Sequence, residues 1–403
     1  MAFTRATYNA RTLNKHRIVD YVRFAQEGYS RVALARELGL SRAAVSTIVT
    51  DLVARGLLRE AERVSTAGGR PPTRLEINPQ CGKVLGVDLG ATHMTLVLAN
   101  FAGMVLAERR EPFTIMDDPE TCLARVDTHV RAMLEASDTR LEDLSACAVG
   151  VPGPVSQETG SVIAPPIMPG WGGFPIRTAL ETRWQRPVLL GNDADLGALG
   201  EWVYGAGRGM THLAYIKVGT GVGAGLIFHG DVYRGAQGYA GEIGHITLVD
   251  HGPRCSCGNY GCLEALAGGR AIALQGQDAV RRGLPTPLET IQPVENITAR
   301  DVAMAAQMGD LVSQKIIADA GNYLGIAIAN LINLLNPEVL VIGGGVAQSG
   351  DLLLESIRKT VRQRSMSGAV ERVRIVSAVL GLRSSGLGAV AYALTHALHA
   401  LAD

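Results

Sequence analysis

Between positions 245 and 262 the chain places His245 and three cysteines, Cys255, Cys257 and Cys262, with Gly258 and Gly261 among them. One imidazole and three thiolates form the donor set of a tetrahedral Cys3His zinc site, and the two glycines permit tight turns that let nearby thiolates converge. All four ligands come from one short stretch and none is obviously left open, so the expected role of the metal is structural rather than hydrolytic. His251, on a Gly-Pro turn, is an alternative ligand. Cys81, Cys122 and Cys147 stand apart and read as packing residues.

A second set of residues suits hydroxyl and phosphate chemistry. Leu190-Gly191-Asn192-Asp193-Ala194-Asp195 directly follows the apolar run Val188–Leu190. An asparagine amide can bind a sugar hydroxyl, and an aspartate can accept the proton of a hydroxyl that attacks a γ-phosphate; the plain alternative is an Asx turn capping the next helix. Two small-residue loops, Asp88-Leu89-Gly90-Ala91-Thr92 and Gly219-Thr220-Gly221-Val222-Gly223, can offer backbone N–H groups to phosphate oxygens. Asp88 is suited to hold magnesium through water, and Thr92 to donate its hydroxyl to a phosphate.

The elements that carry these loops repeat. Val84–Asp88 reads as a strand running into the first loop, followed by strands from Met94 to Ala99 and up to Ala107 around a turn at Gly103. His212–Val218, Ala224–Phe228 and Val232–Arg234 repeat the pattern around the second loop, and each copy has a later strand ending in glycine or proline, Ala146–Gly153 and Val339–Gly345. The pattern predicts a duplicated α/β domain with a cleft between the copies, where strand ends place ligands. Leu324–Leu335 and a closing helix from about Leu387 to Ala402 are apolar enough for an interface, but core is their expected fate.

Composition agrees: 403 residues with 47% hydrophobic and 19% charged side chains can bury several cores, which excludes disorder as the main theme. Forty-eight glycines against 6 Phe, 10 Tyr and 3 Trp suggest many close-approach loops. Apolar stretches fall short of the roughly 20 residues of a spanning helix, and the first residues lack a secretory apolar core, so no membrane partner and a reducing, cytoplasmic location are expected.

The formal net charge of zero hides an asymmetry: residues 1–80 carry 13 basic and 7 acidic side chains, the remainder 25 and 31. A basic module on an acidic body points to a polyanion partner. Lys15–Gly28 shows one helical apolar face (Ile18, Val19, Val22, Ala25), Ser30 and Ser41 are N-cap candidates for helices Arg31–Leu38 and 42–54, and Gly39 supplies the turn between them. On the third helix Ser41, Arg42, Ser46 and Thr47 occupy a small, hydroxyl-rich outer face suited to a major groove. Beyond Gly56, two strand-like runs flank Gly68-Gly69-Arg70-Pro71-Pro72, the pattern of a β-wing with Arg70 placed for a minor groove.

Taken together, Asp88-Leu89-Gly90-Ala91-Thr92, Val149-Gly150-Val151-Pro152-Gly153-Pro154, Gly191-Asn192-Asp193, Val218–Gly223, Gly241-Glu242-Ile243-Gly244-His245 and Cys255–Glu264 resemble the ROK family of repressors and sugar kinases over residues 83–403. With the module at 15–76, the chain is similar to its sugar-responsive repressor branch, that of the xylose-operon and N-acetylglucosamine repressors. The resemblance implies a winged helix-turn-helix over residues 1–80 and a two-lobed α/β domain of the actin/hexokinase (ribonuclease H-like) type over 81–403, with lobes of about 81–199 and 200–403. It puts zinc on His245, Cys255, Cys257 and Cys262, and a sugar against Asn192, Asp193, Glu242, His245 and Glu264. It implies operator DNA, a sugar effector and a homodimer as partners. In family members that are kinases, Asp193 would be the catalytic base, and Asp88, Gly90, Thr92, Gly219, Thr220, Gly221, Gly343, Gly344 and Gly345 would hold ATP and magnesium; an ATP-dependent sugar kinase is therefore the alternative reading. The chain departs from the family's kinases at Ala164-Pro165-Pro166, where proline cannot donate a hydrogen bond, and at Asp195, which stands where an asparagine is common.

Overall fold

The computed structural model describes residues 9–25, 28–61, 73–163 and 168–403. The side chain of Asn9 accepts from the Thr12 amide at 2.9 Å and starts helix α1 (Ala10–Phe24), ahead of the Lys15 start expected from the apolar face. The difference has a simple origin: a cap sets where a helix begins, whereas periodicity registers only its buried turns. Strand β1 (Tyr29–Ser30) leads into α2 (Arg31–Leu38), Gly39 turns the chain at φ 66°, and Ser41 Oγ accepts from Ala44 N at 3.1 Å to start α3 (Arg42–Ala54). Strands β2 (Leu58–Glu60) and β3 (Arg74–Ile77) pair antiparallel, with β1 on the other side of β3. They form the stem of a hairpin; Arg70 and the rest of 62–72 lie outside the described residues.

The body contains the same sheet twice. In the first copy β4 (Lys83–Leu89), β5 (His93–Asn100) and β6 (Val105–Pro112) run antiparallel. After α4 (Pro119–Ala136), β7 (Leu144–Val151) pairs parallel with β4. A small ribbon, β8 (Val155–Ser156) with β9 (Ser161–Val162), and α5 (Ile176–Trp184) precede β10 (Val188–Asn192), giving the order β10-β7-β4-β5-β6. Helix α6 (Asp193–Tyr204) crosses to the second copy, β11 (His212–Val218), β12 (Val222–Phe228) and β13 (Asp231–Val232). Four helices, α7 (Leu263–Ala267), α8 (Gly269–Arg281), α9 (Ala299–Gln307) and α10 (Leu311–Leu335), lead to β14 (Val339–Gly343). Helices α11 (Asp351–Arg364) and α12 (Ser367–Val370) lead to β15 (Arg374–Ser377) and the order β13-β12-β11-β14-β15. Each central strand therefore has two antiparallel strands on one side and two parallel strands on the other, the duplication the sequence pattern predicted. Helix α10 buries Leu324, Ile328 and Ile332 in the second core while Leu334 faces outward.

Helix α13 (Ser384–Ala402) follows the second sheet in sequence but packs on the first, against β4, β7 and α6. A lobe division near residue 200 thus describes the sheets and not this helix. The α13–α6 crossing brings backbone onto backbone: a Cβ on Gly388 would run into the Leu196 carbonyl, and one on Gly200 into the Ser384 carbonyl.

The head is fastened to α13. One hydrophobic cluster runs from Ile18, Val19 and Leu34 through Leu394, Leu398 and Ala402 to Val97 and Phe101. Around it, Lys15 Nζ donates to the Ala402 carbonyl at 2.8 Å and pairs with Asp51 at 2.8 Å. Arg23 donates to Thr395 Oγ1 and to the Ala391 carbonyl, Arg55 to the Leu401 carbonyl, and His16 and His399 stack with centroids 4.1 Å apart. Among the described residues no helix is long and apolar enough to cross a membrane.

Candidate functional site

The strand ends of both sheets open onto one cleft. Asp88 comes from β4, Asn192 from the end of β10, Asp193 from the first turn of α6, and Lys217 from β11 just before the Gly219 loop. Gly90, Thr92, Gly219, Thr220, Gly221, Glu242, His245, Glu264, Gly344 and Gly345 line the same cleft, together with His93 and Ser385. Gly343 does not line it; it ends β14 and packs over the Tyr215 ring.

The amide of Asn192 is already engaged. Its Oδ1 accepts from Ala194 N at 2.8 Å and Asp195 N at 3.1 Å, and its Nδ2 donates to the Gly153 carbonyl at 2.9 Å. The Asx-type cap set out above is therefore what the residue does, with one N–H left for a ligand. Asp193 is paired: Oδ2 lies 2.8 Å from Lys217 Nζ, and its carbonyl accepts from Ser385 Oγ at 2.8 Å. Asp88 is buried with Oδ1 lacking a hydrogen-bond partner, and Lys217 Nζ stands 4.0 Å away. Burial raises the Asp88 carboxyl to about 6, against the pull of Lys217. Burial likewise lowers His93 to about 4, helped by Arg110, so this ring is neutral at pH 7. Asp195 is pushed up to about 7 by burial, although Arg234 Nε lies 3.4 Å from its Oδ2. Glu242 also rises to about 7 through burial, followed by repulsion from Asp193 and Glu264.

His245 faces two ways. Its Nδ1 lies 3.6 Å from Cys255 Sγ, while its Nε2 turns to Glu242 Oε2 at 3.8 Å on the cleft side. Cys257 and Cys262 stand 3.8 Å apart, and the four donor atoms all lie within 4.8 Å of one another. Donors bound at about 2.3 Å around a tetrahedral ion stand about 3.8 Å apart, so the cluster fits such an ion. A short hairpin builds it: Cys255 N donates to the Asn259 carbonyl, Gly258 N to the Cys255 carbonyl, and Arg254 bridges Tyr260. Glu264 joins this hairpin to the second glycine loop, accepting from Ser256 Oγ at 3.0 Å through Oε1 and from Val222 N at 3.1 Å through Oε2. His251 is not one of the four converging residues.

On α3, Ser41, Arg42 and Thr47 are exposed and Ser46 is half-buried. Ser41 spends its hydroxyl oxygen on the cap, and Thr47 Oγ1 donates back to the Ala43 carbonyl at 3.0 Å. Arg42 is the long, exposed cation of this face. Sequence reasoning missed Lys217, Ser385 and His93; for Lys217 a signal existed, a lone charge in the apolar run Leu213–Val218 directly before a glycine loop.

A duplicated α/β body of the actin/hexokinase type, with a helix-turn-helix head docked on its last helix, is the architecture of a kinase-like transcriptional regulator. The chain belongs to the ROK family, whose profile matches residues 84–396. It is 32% identical over 369 residues to the xylose repressor of Caldicellulosiruptor bescii, covering 92% of each chain. Among solved structures it is similar to a ROK family transcriptional regulator, a homolog of the E. coli MLC protein, with TM-score 0.82 and 29% identity over 97% of this chain and 98% of that one. It is also similar to a ROK family glucokinase from Streptomyces griseus solved with glucose and AMPPNP, with TM-score 0.70 and 30% identity over 77% of this chain and 99% of that one.

Proposed function

We propose that this chain is a sugar-responsive transcriptional repressor of carbohydrate-metabolism genes that binds operator DNA as a homodimer. One observation carries the reading: the likeness to regulators runs through head and body, whereas the glucokinase likeness spans 77% of the chain although it takes in 99% of the kinase. The DNA contacts assigned are Ser41, Arg42, Ser46 and Thr47 on α3, with Arg70 in the wing. A helix N-terminus favours phosphate, and Arg42 is suited to guanine edges.

In the body, the sugar is assigned to Asn192, Asp193, Glu242, His245 and Glu264. Zinc is assigned to His245, Cys255, Cys257 and Cys262; the soft thiolates and the tetrahedral spacing fit it, and bound there it stiffens the hairpin against which Glu264 packs and fixes His245 directly. A sugar changes DNA binding only if its affinity differs between two shapes of the protein. Helix α13 offers the connection, because Ser385 near its start touches Asp193 in the cleft while its other end holds α1 of the head. The glucokinase likeness keeps an ATP-dependent sugar kinase as the alternative, with Asp193 as base and Asp88, Gly90, Thr92, Gly219, Thr220, Gly221, Gly344 and Gly345 around magnesium and ATP.

The test is fluorescence anisotropy of labelled duplexes from upstream of the gene, at fixed salt, with and without a panel of aldoses. Saturable, competitor-resistant binding that one sugar releases is the expected result, and Arg42→Ala should weaken it. Weak, sequence-indifferent binding untouched by every sugar would overturn the reading.

A further inference from the structure

Lys217 lies in a strand whose neighbours leave it room. Its register partners are Gly223 on β12 and Gly343 on β14, so neither contributes a side chain beside its stem. The side chain is half-buried, and the ammonium reaches the floor of the cleft, 2.8 Å from Asp193 Oδ2, 4.0 Å from Asp88 Oδ1 and 3.3 Å from Ser385 Oγ. Burial opposes its charge, but Asp193 and then Asp88 more than offset this, and the group is held protonated.

We propose that Lys217 is the resident cation of the cleft, fixing Asp193 as an acceptor for a sugar hydroxyl and excluding a divalent cation, so that the cleft receives a sugar without transferring phosphate. The inference rests on the sugar-binding reading above. Phosphoryl transfer asks two things of these carboxylates. Asp193 must take up the proton of the attacking hydroxyl, and its Oδ2 is already engaged by the Lys217 ammonium at 2.8 Å. A metal ion must also sit near the phosphate-facing carboxylate, Asp88, and a doubly charged ion there meets repulsion from an ammonium 4.0 Å from the same carboxylate. The magnesium that the kinase alternative requires therefore does not fit next to Lys217. For binding alone the same arrangement is favourable, because a carboxylate oriented by Lys217, on a backbone whose carbonyl is held by Ser385, is in place before the sugar arrives.

The probe is Mn2+, followed by electron paramagnetic resonance on the full zinc-loaded chain, with ADP release measured in parallel across an aldose panel. Lys217→Met, which keeps the reach without the charge, and Lys217→Thr should each bind one additional Mn2+ per chain at least tenfold more tightly than the parent. Adding Asp193→Asn to Lys217→Thr should remove that ion. The parent should release no ADP in response to any aldose. Parent Mn2+ binding as tight as in the variants, or sugar-dependent ADP release by the parent, overturns the proposal, and both parent measurements stand even if the variants fail to fold. A parent that ignores DNA and sugars in the anisotropy assay defeats the regulator reading instead, without altering the Mn2+ result.

Discussion

Replacing Lys15 with Met tests how the head is held. Lys15 sits in α1 with its side chain 7% exposed, and its Nζ joins the Ala402 carbonyl at the end of α13 to Asp51 on α3, both at 2.8 Å. Methionine keeps the apolar stem and removes the charge, so packing changes little. A hydrogen bond from a charged group contributes about 1.5–3 kcal/mol, and the half-buried ion pair with Asp51 adds to it. Asp51 Oδ1 keeps Arg55 at 3.1 Å while its buried Oδ2 loses its cation, and the loss comes to about 3 kcal/mol. Every 1.4 kcal/mol is about tenfold, so the opening equilibrium of the head should rise by about a hundredfold. Native-state hydrogen exchange reads this directly: the Ile18, Val19 and Val22 amides should exchange about a hundredfold faster while β4 and β11 are unchanged. Exchange in α1 that rises less than about threefold, or α1 and both sheets accelerating together, would refute the reasoning.

Four further outcomes are expected. Gly388→Ala forces a methyl group into the Leu196 carbonyl and should lower the melting temperature of the full chain by several degrees, measured by calorimetry. Asp195→Asn tests a sign: a carboxyl raised to about 7 from 3.8 contributes stability that is present below 3.8 and is lost as pH rises through about 7, so the parent should lose on the order of 2 kcal/mol more than the variant between pH 5 and pH 8 in urea titrations. Cys257→Ser should cut zinc content well below one per chain by elemental analysis and weaken sugar binding about tenfold by calorimetry, since Glu264 is bonded to the cysteine hairpin and His245 is one of the four ligands. Ser385→Ala should leave sugar affinity within about threefold yet blunt the sugar's effect on DNA binding in the anisotropy assay, because it cuts the contact between Asp193 and α13.

Local signals made much of this legible in the sequence. Ser30, Gly39 and Ser41 mark the turns of the head because caps and left-handed turns depend on a few neighbouring residues. The converging His245, Cys255, Cys257 and Cys262 could be seen because all four lie in one short stretch of chain. What escaped depends on distance along the chain. Ser385 reaches Asp193 across 192 positions, and Lys15 reaches Ala402 across 387, so no window of sequence contains both partners. Asn192 shows a third limit: its type suits both a sugar ligand and a helix cap, and only the positions of Ala194 N and Asp195 N reveal how its oxygen is engaged.

The return of α13 to the first sheet also has a consequence for biosynthesis. A chain leaving the ribosome exposes α1, α2 and α3 and then β4 through β10 long before Ser384–Ala402 is made. Until then the apolar faces of Val84, Val97 and Leu34 lack the helix that covers them, whereas the opposite face of the first sheet, packed under α4 and α5, can close its core once Leu190 is made. A nascent or truncated chain would therefore carry a DNA-reading face with nothing to hold it at a fixed spacing, and occupancy of an operator would begin only when the whole polypeptide has been synthesised.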